Sequence, residues 1–286
     1  MDLPVVDNPP LKIVSFSFPD GRTIHVVQDG VLLTGTKQRV AARAVKKFLG
    51  KDSPVKVIQY TGSWNGFGAI ATAYAAYRLH LKAAVYLTAI PTGSTVRTPV
   101  KTIEASRQIR TLKALGAAIK LFPEHRLARN AQYAESDVAL KSKGEWQTKP
   151  EYFNVPMGLN DDEGAMIKML GAAIKKAAIG TIVKSHKTTR IWVVCGTGGI
   201  MRGINLAFPK ALLFVLFTGG GMYKANATEW AKTKKNITIL EPIPGKGYSE
   251  ERKQYYESVA GYDDQIWPHI KAHAMDGDII WNVASD

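Results

Sequence analysis

Ile191-Trp192-Val193-Val194-Cys195-Gly196-Thr197-Gly198-Gly199-Ile200 joins an apolar, largely β-branched run to a glycine turn, and the turn to a helix-like stretch through Leu206. The pattern reads as strand, tight loop, helix. In such a loop successive backbone N–H groups point outward, and the positive end of the following helix dipole adds to them. The result is a cradle for a phosphate-sized anion. Thr197 can contribute a hydroxyl donor. A dinucleotide fingerprint would place glycine at 196, 198 and 201, but position 201 is Met, so a single phosphate is the better fit. The same glycines would also serve a plain strand-to-helix turn, and the loop alone does not separate the two uses.

Outward from this loop, strand-like runs recur at 55–60, 83–87, 118–122, 212–217 and 237–240, with helix-period stretches at 68–79, 102–115 and 161–178 between them. Strand alternating with helix implies an α/β fold with parallel-rich sheets flanked by helices, and ligand sites at the carboxyl ends of the strands. A second glycine loop, Thr61-Gly62-Ser63-Trp64-Asn65-Gly66-Phe67-Gly68, follows the 55–60 run and opens an alanine-rich helix. It suits a carboxylate or a ring hydroxyl, and it equally suits an ordinary turn. Lys37 lies in Thr34-Gly35-Thr36-Lys37-Gln38-Arg39, at the expected start of a helix through Leu49. There the helix dipole would favour the neutral amine, a nucleophile able to form a Schiff base.

Bulk properties exclude several classes. With 286 residues, 45% of them hydrophobic, the chain can bury a substantial core. The single cysteine, Cys195, rules out an intrachain disulfide, and the first twelve residues lack the basic and apolar runs of a secretory signal. A cytoplasmic location is expected. No apolar run is long enough to span a bilayer, so no membrane partner is expected. The net charge of +14 divides as 35 basic and 17 acidic residues over 1–250, against 3 and 7 over 251–286. Along the sequence the excess is spread rather than clustered, so nucleic acid is not expected as the main partner.

Taken in order, Lys37, the asparagine loop and the Gly-Thr-Gly-Gly loop resemble the tryptophan-synthase-β-like (fold type II) family of pyridoxal 5'-phosphate (PLP) enzymes. Gly35 to Arg39 is similar to the Gly-Asn-Lys-x-Arg segment of 1-aminocyclopropane-1-carboxylate deaminase and D-cysteine desulfhydrase. Arg107 to Ala117 resembles a helix ending of cysteine synthases. The resemblance implies a two-domain α/β fold, with a larger PLP-binding domain at 1–49 and 151–286 and a smaller mobile domain at 50–150. It implies Lys37 as catalytic and cofactor-holding residue, and Gly196, Thr197, Gly198 and Gly199 on the phosphate. Asn65 would meet the ring hydroxyl, and Asn282 the pyridine nitrogen with Ser285 as its alternative. Thr61, Gly62, Ser63, Trp64 and Asn65 would form the substrate loop. No metal is implied.

The function so implied is Schiff-base chemistry on a small amino-acid substrate by a homodimeric lyase or deaminase. The reaction would be α,β-elimination or deamination, with β-replacement of the cysteine-synthase type as the alternative. From other classes, a PLP-fold protein without turnover and a basic nucleic-acid binder remain open.

Overall fold

The structure, a computed structural model, describes residues 7–89, 98–122, 139–142, 145–148, 150–159, 164–218, 221–244, 248–258 and 262–284. The chain divides into two compact units, Met1–Asp7 with Val40–Asp162 and Asn8–Arg39 with Glu163–Asp286. The divisions therefore fall at 7/8, 39/40 and 162/163; those expected were 49/50 and 150/151.

The second unit is built on a six-stranded sheet. Its strands are β1 (Ile13–Ser17), β2 (Thr23–Gln28), β9 (Arg190–Cys195), β10 (Leu212–Phe217), β11 (Ile237–Leu240) and β12 (Ile279–Asn282), in the order β1-β2-β12-β9-β10-β11. The β1–β2 hairpin is antiparallel, and every other pairing is parallel. One face carries Ile24, Val26, Trp192, Val194, Leu216 and Ile280, packed with Trp267 and Ile270 of the helix Trp267–His273. Trp192 stacks on Phe214 at 4.4 Å between centroids, and its indole N–H donates to Asp278 at 2.7 Å. Large apolar side chains buried in this way contribute about 1.5–3 kcal/mol each. His269 of this helix is buried, and its Nε2 donates to the Glu241 carbonyl at 2.8 Å.

The first unit holds a parallel four-stranded sheet, β5-β4-β3-β8, made of β3 (Val57–Ser63), β4 (Lys82–Thr88), β5 (Ala118–Phe122) and β8 (Tyr152–Asn154). A separate antiparallel pair joins β6 (Ala139–Ser142) to β7 (Glu145–Thr148). Helix α1 (Ala41–Leu49) belongs here because its alanine face packs on α2 (Phe67–Arg78), which is itself buried along most of its length. The helix expected over 102–115 is two, α3 (Val100–Glu104) and α4 (Arg107–Ala114). Ser106 separates them, because its hydroxyl accepts the Ile109 N–H at 3.2 Å and caps a new start.

Back in the second unit, α5 (Ala165–Ala177) occupies the described part of the stretch expected over 161–178, and 161–163 lie outside the described residues. Helices α6 (Gly199–Ala207) and α7 (Gly221–Lys232) follow β9 and β10. No described helix is long and apolar enough to cross a membrane.

Candidate functional site

Because β2, β12, β9 and β10 run parallel, their carboxyl ends lie along one edge of the six-stranded sheet. Past that edge β2 leads to the Lys37 turn, β12 ends on Asn282, β9 leads to the Gly196–Gly199 loop, and β10 leads to Thr218. The fold thus brings Lys37, Asn282 and the glycine loop, three separate sequence signals, to one side of one unit.

Lys37 sits in a 3-10 turn, Gly35–Arg39, and α1 starts only at Ala41 after a non-helical Val40. The helix dipole invoked from sequence is therefore not what acts on it. Burial of the amine holds its pKa below the ordinary lysine value, while Cys195 and Asp263 act in the opposite direction. The turn is clamped by the end of β12. Thr36 N–H donates to the Val283 carbonyl at 3.1 Å, and Trp281 Nε1 reaches both Asp29 Oδ2 and Thr36 Oγ1 at 3.2 Å. Gly35 has φ +61°, and any Cβ there would collide with the Val283 carbonyl oxygen. The arginine of the Lys-x-Arg pattern faces inward. Arg39 pairs with Asp29 at 2.5 Å with both side chains 1% exposed, and its guanidinium also donates to Asn8 Oδ1 and the Pro9 carbonyl.

The glycine loop is equally constrained. Gly198 caps α6 at φ +80°, and a Cβ there would lie 2.5 Å from the Ala227 Cβ of α7. Around Gly199 the nearest atoms to such a Cβ are at 3.8 Å. Cys195 is buried, its thiol pushed up to about 12 by desolvation although the Met201 N–H donates to it. Asn282 spends its side-chain N–H on the Glu257 carbonyl at 2.7 Å, and its buried Oδ1 has no partner among the described residues. Ser285 lies outside the described residues.

Two residues at this edge escaped the sequence reading. The Tyr262 hydroxyl accepts the Gly196 N–H and interacts with Thr218, and its desolvation raises its pKa. Asp263 accepts the Ala284 N–H at 3.2 Å, and burial holds its carboxyl well above the usual range despite that bond and the nearby Ser258 and Arg252. Asp263 thus brings a carboxyl through space to Ala284, just past the end of β12. Its only sequence signal, paired acids before a helix, is that of an ordinary helix start.

In the first unit the loop expected at 61–68 is shorter. Thr61, Gly62 and Ser63 extend β3, in register with Tyr86, Leu87 and Thr88 of β4, so the turn proper is Trp64 to Gly66. Ser63 Oγ donates to Asn65 Oδ1 at 2.6 Å, and Asn65 is exposed. Gly62 and Gly68 have a packing cause. A Cβ on Gly62 would lie 2.5 Å from the Tyr60 ring, one on Gly68 would collide with the Tyr60 hydroxyl, and that hydroxyl accepts the Gly158 N–H at 3.3 Å.

No family model matches the sequence, and no curated protein matches it. Solved structures do. An ACC deaminase homologue superposes with a TM-score of 0.69 at 16% identity, over 99% of this chain and 92% of that one. A hydrogen sulfide-producing enzyme from Fusobacterium nucleatum gives 0.64 at 14%, over 98% and 97%. The serine racemase of Dictyostelium discoideum gives 0.63 at 10%, over 98% and 92%. This likeness establishes the fold, the fold type II α/β architecture with parallel-rich sheets flanked by helices that the sequence implied.

Proposed function

We propose that the chain is a PLP-dependent enzyme that acts on a small amino acid by α,β-elimination or deamination. The observation that carries this reading is the desolvated amine of Lys37 at the strand-end edge that also bears the Gly196–Gly199 loop, with Cys195 of β9 within its electrostatic reach. The residues fit the cofactor. Lys37 would hold its aldehyde carbon, and the loop amides with the Thr197 hydroxyl would hold its phosphate. Asn282, with its unpartnered buried oxygen, would face the polar edge of the ring. When bound, PLP withdraws electrons from the substrate α-carbon and so loosens its proton.

The rest is the work of this chain. Burial lowers the Lys37 pKa and so favours the neutral amine, the form that can take the α-proton and afterwards return it. The same desolvation raises the Asp263 pKa and so disfavours a negative charge at this edge, and neutral Asn282 adds none. Uncharged surroundings favour elimination over amino-group transfer. In the first unit, Trp64 and Asn65 are the members of the predicted substrate loop that lie in its turn. A homodimer in the cytoplasm completes the proposal.

The test is direct. The full chain mixed with PLP should gain a visible absorbance that borohydride bleaches, and the reduced protein should carry one phosphopyridoxyl group, on Lys37. A small amino acid should then yield ammonia and a keto acid. Absence of any reducible adduct overturns the reading. Adduct without turnover leaves a PLP-binding protein in place of an enzyme.

A further inference from the structure

Six lysines of the second unit, spread thinly along the sequence, lie in or beside the turns before β9, β10 and β11, at the edge opposite Lys37; the turns before β2 and β12 on that edge carry Asp20 and Asp276. Residues 164–240 contain 12 lysines and arginines against one acid, Glu229. The turns preceding β9, β10 and β11 lie side by side there. Lys210 N–H donates to Ser185 Oγ, Leu212 N–H to the Thr189 carbonyl, and the Asn236 side chain to the Pro209 and Ala211 carbonyls. These turns, with the end of α5, expose Lys175, Lys176, Lys184, Lys187, Lys210 and Lys235. None of the six forms an ion pair among the described residues.

Among these lysines stand two isoleucines, Ile179 at 78% exposure and Ile182 at 47%. They are held outward by a built turn. Thr181 donates through both its N–H and its hydroxyl to the Ala178 carbonyl, and the hydroxyl accepts the Val183 N–H at 3.2 Å. Ala178 and Val183 are thereby buried beneath.

We infer that this edge docks on the surface of an anionic lipid bilayer, with Ile179 and Ile182 entering the headgroup boundary and the lysines around them meeting lipid charge. No spanning segment is required for such binding. Three observations favour lipid over other occupants. Exposed isoleucines have no use against a phosphate backbone. The exposed cations are lysines, compact charges suited to a diffuse anionic surface, where bidentate phosphate recognition would use arginine. Trp230, at the end of α7, is already covered by Arg202 and Lys234 at 5.1 Å each. A second copy of this chain presenting the same edge would bring lysines against lysines, which repel.

Sedimentation of the full chain with extruded vesicles tests this. It should pellet with vesicles in which roughly one lipid in three is phosphatidylserine, and stay in solution with phosphatidylcholine alone. A triple variant, Lys184→Glu, Lys187→Glu and Lys210→Glu, should partition at least about tenfold less. A double variant, Ile179→Ser and Ile182→Ser, should lose about tenfold at unchanged net charge, with its melting temperature intact because both side chains are exposed. No pelleting with anionic vesicles, or equal pelleting with both lipids, overturns the inference. So does full vesicle binding by the isoleucine variant: if that variant also holds duplex DNA as the native chain does, the lysines serve nucleic acid. Self-association of the native chain that the isoleucine variant abolishes would assign the patch to a second copy and overturn it as well.

Discussion

Replacing Lys37 with alanine separates binding from chemistry. The loop amides and Asn282 remain, so Lys37→Ala should retain PLP weakly and release it on dialysis. Borohydride should no longer fix it to the chain, and turnover should fall by about three orders of magnitude or more, since covalent holder and proton base vanish together. Peptide mapping checks the assignment, and a phosphopyridoxyl label on another lysine refutes it. Asp263 carries a second prediction, in pH. Its folded pKa is raised, so between the ordinary carboxylate range and that raised value the folded chain binds a proton the unfolded chain lacks. The associated stability is complete in acid, below the unfolded pKa, and is lost as pH rises through the folded one. Asp263→Asn removes this dependence. Its melting temperature should gain on the native protein's as pH rises above the ordinary carboxylate range, and parallel curves would show that the carboxyl's pKa is not raised. Cys195, buried with its thiol at about 12, should ignore thiol reagents in the native state and react once on unfolding.

At the scale of elements, the glycine loop contains two different kinds of glycine. Gly198 is fixed by its left-handed φ and by Ala227, so Gly198→Ala should cost about 1–3 kcal/mol of stability as well as cofactor affinity. Gly199 meets only distant neighbours, and Gly199→Ala should leave the melting temperature unchanged while weakening PLP binding, read by titration. Loss of affinity in neither variant would take the phosphate away from this loop. The loop was legible because strand, glycines and helix are contiguous, and Ala118–Phe122, Leu212–Phe217 and Ile237–Leu240 appear with the bounds their apolar runs suggested. The β1–β2 hairpin was not, because β1 sits at the sheet edge with no fully buried residue and lacks an apolar run. Thr61 to Ser63 read as loop because Gly62 looked like punctuation, whereas Tyr60 requires it. Tyr262 and Asp263 reach their places through space, which periodicity does not register.

For the whole molecule, the separation into two compact units makes ligand binding visible as a local effect. PLP at about 100 times its Kd stabilises what binds it by about 2.7 kcal/mol. If the phosphate and Lys37 contacts lie within Asn8–Arg39 and Glu163–Asp286, calorimetry should show a transition belonging to that unit rising by roughly 5–10 °C, with a smaller shift for the other. Equal shifts would mean that the units melt as one. The clamp on the Lys37 turn also sets a schedule. Thr36 and the Trp281 indole that meets its hydroxyl are 245 residues apart. At ribosomal speeds of about 5–20 residues per second, that interval lasts roughly 10–50 s. Throughout it the nascent chain carries its lysine on a turn whose far wall has not been made, with the Thr36 N–H still without the Val283 carbonyl. On the proposed reading, the turn that would hold the aldehyde waits for residues 279–283, and a chain cut short before residue 279 should form no borohydride-reducible adduct with PLP.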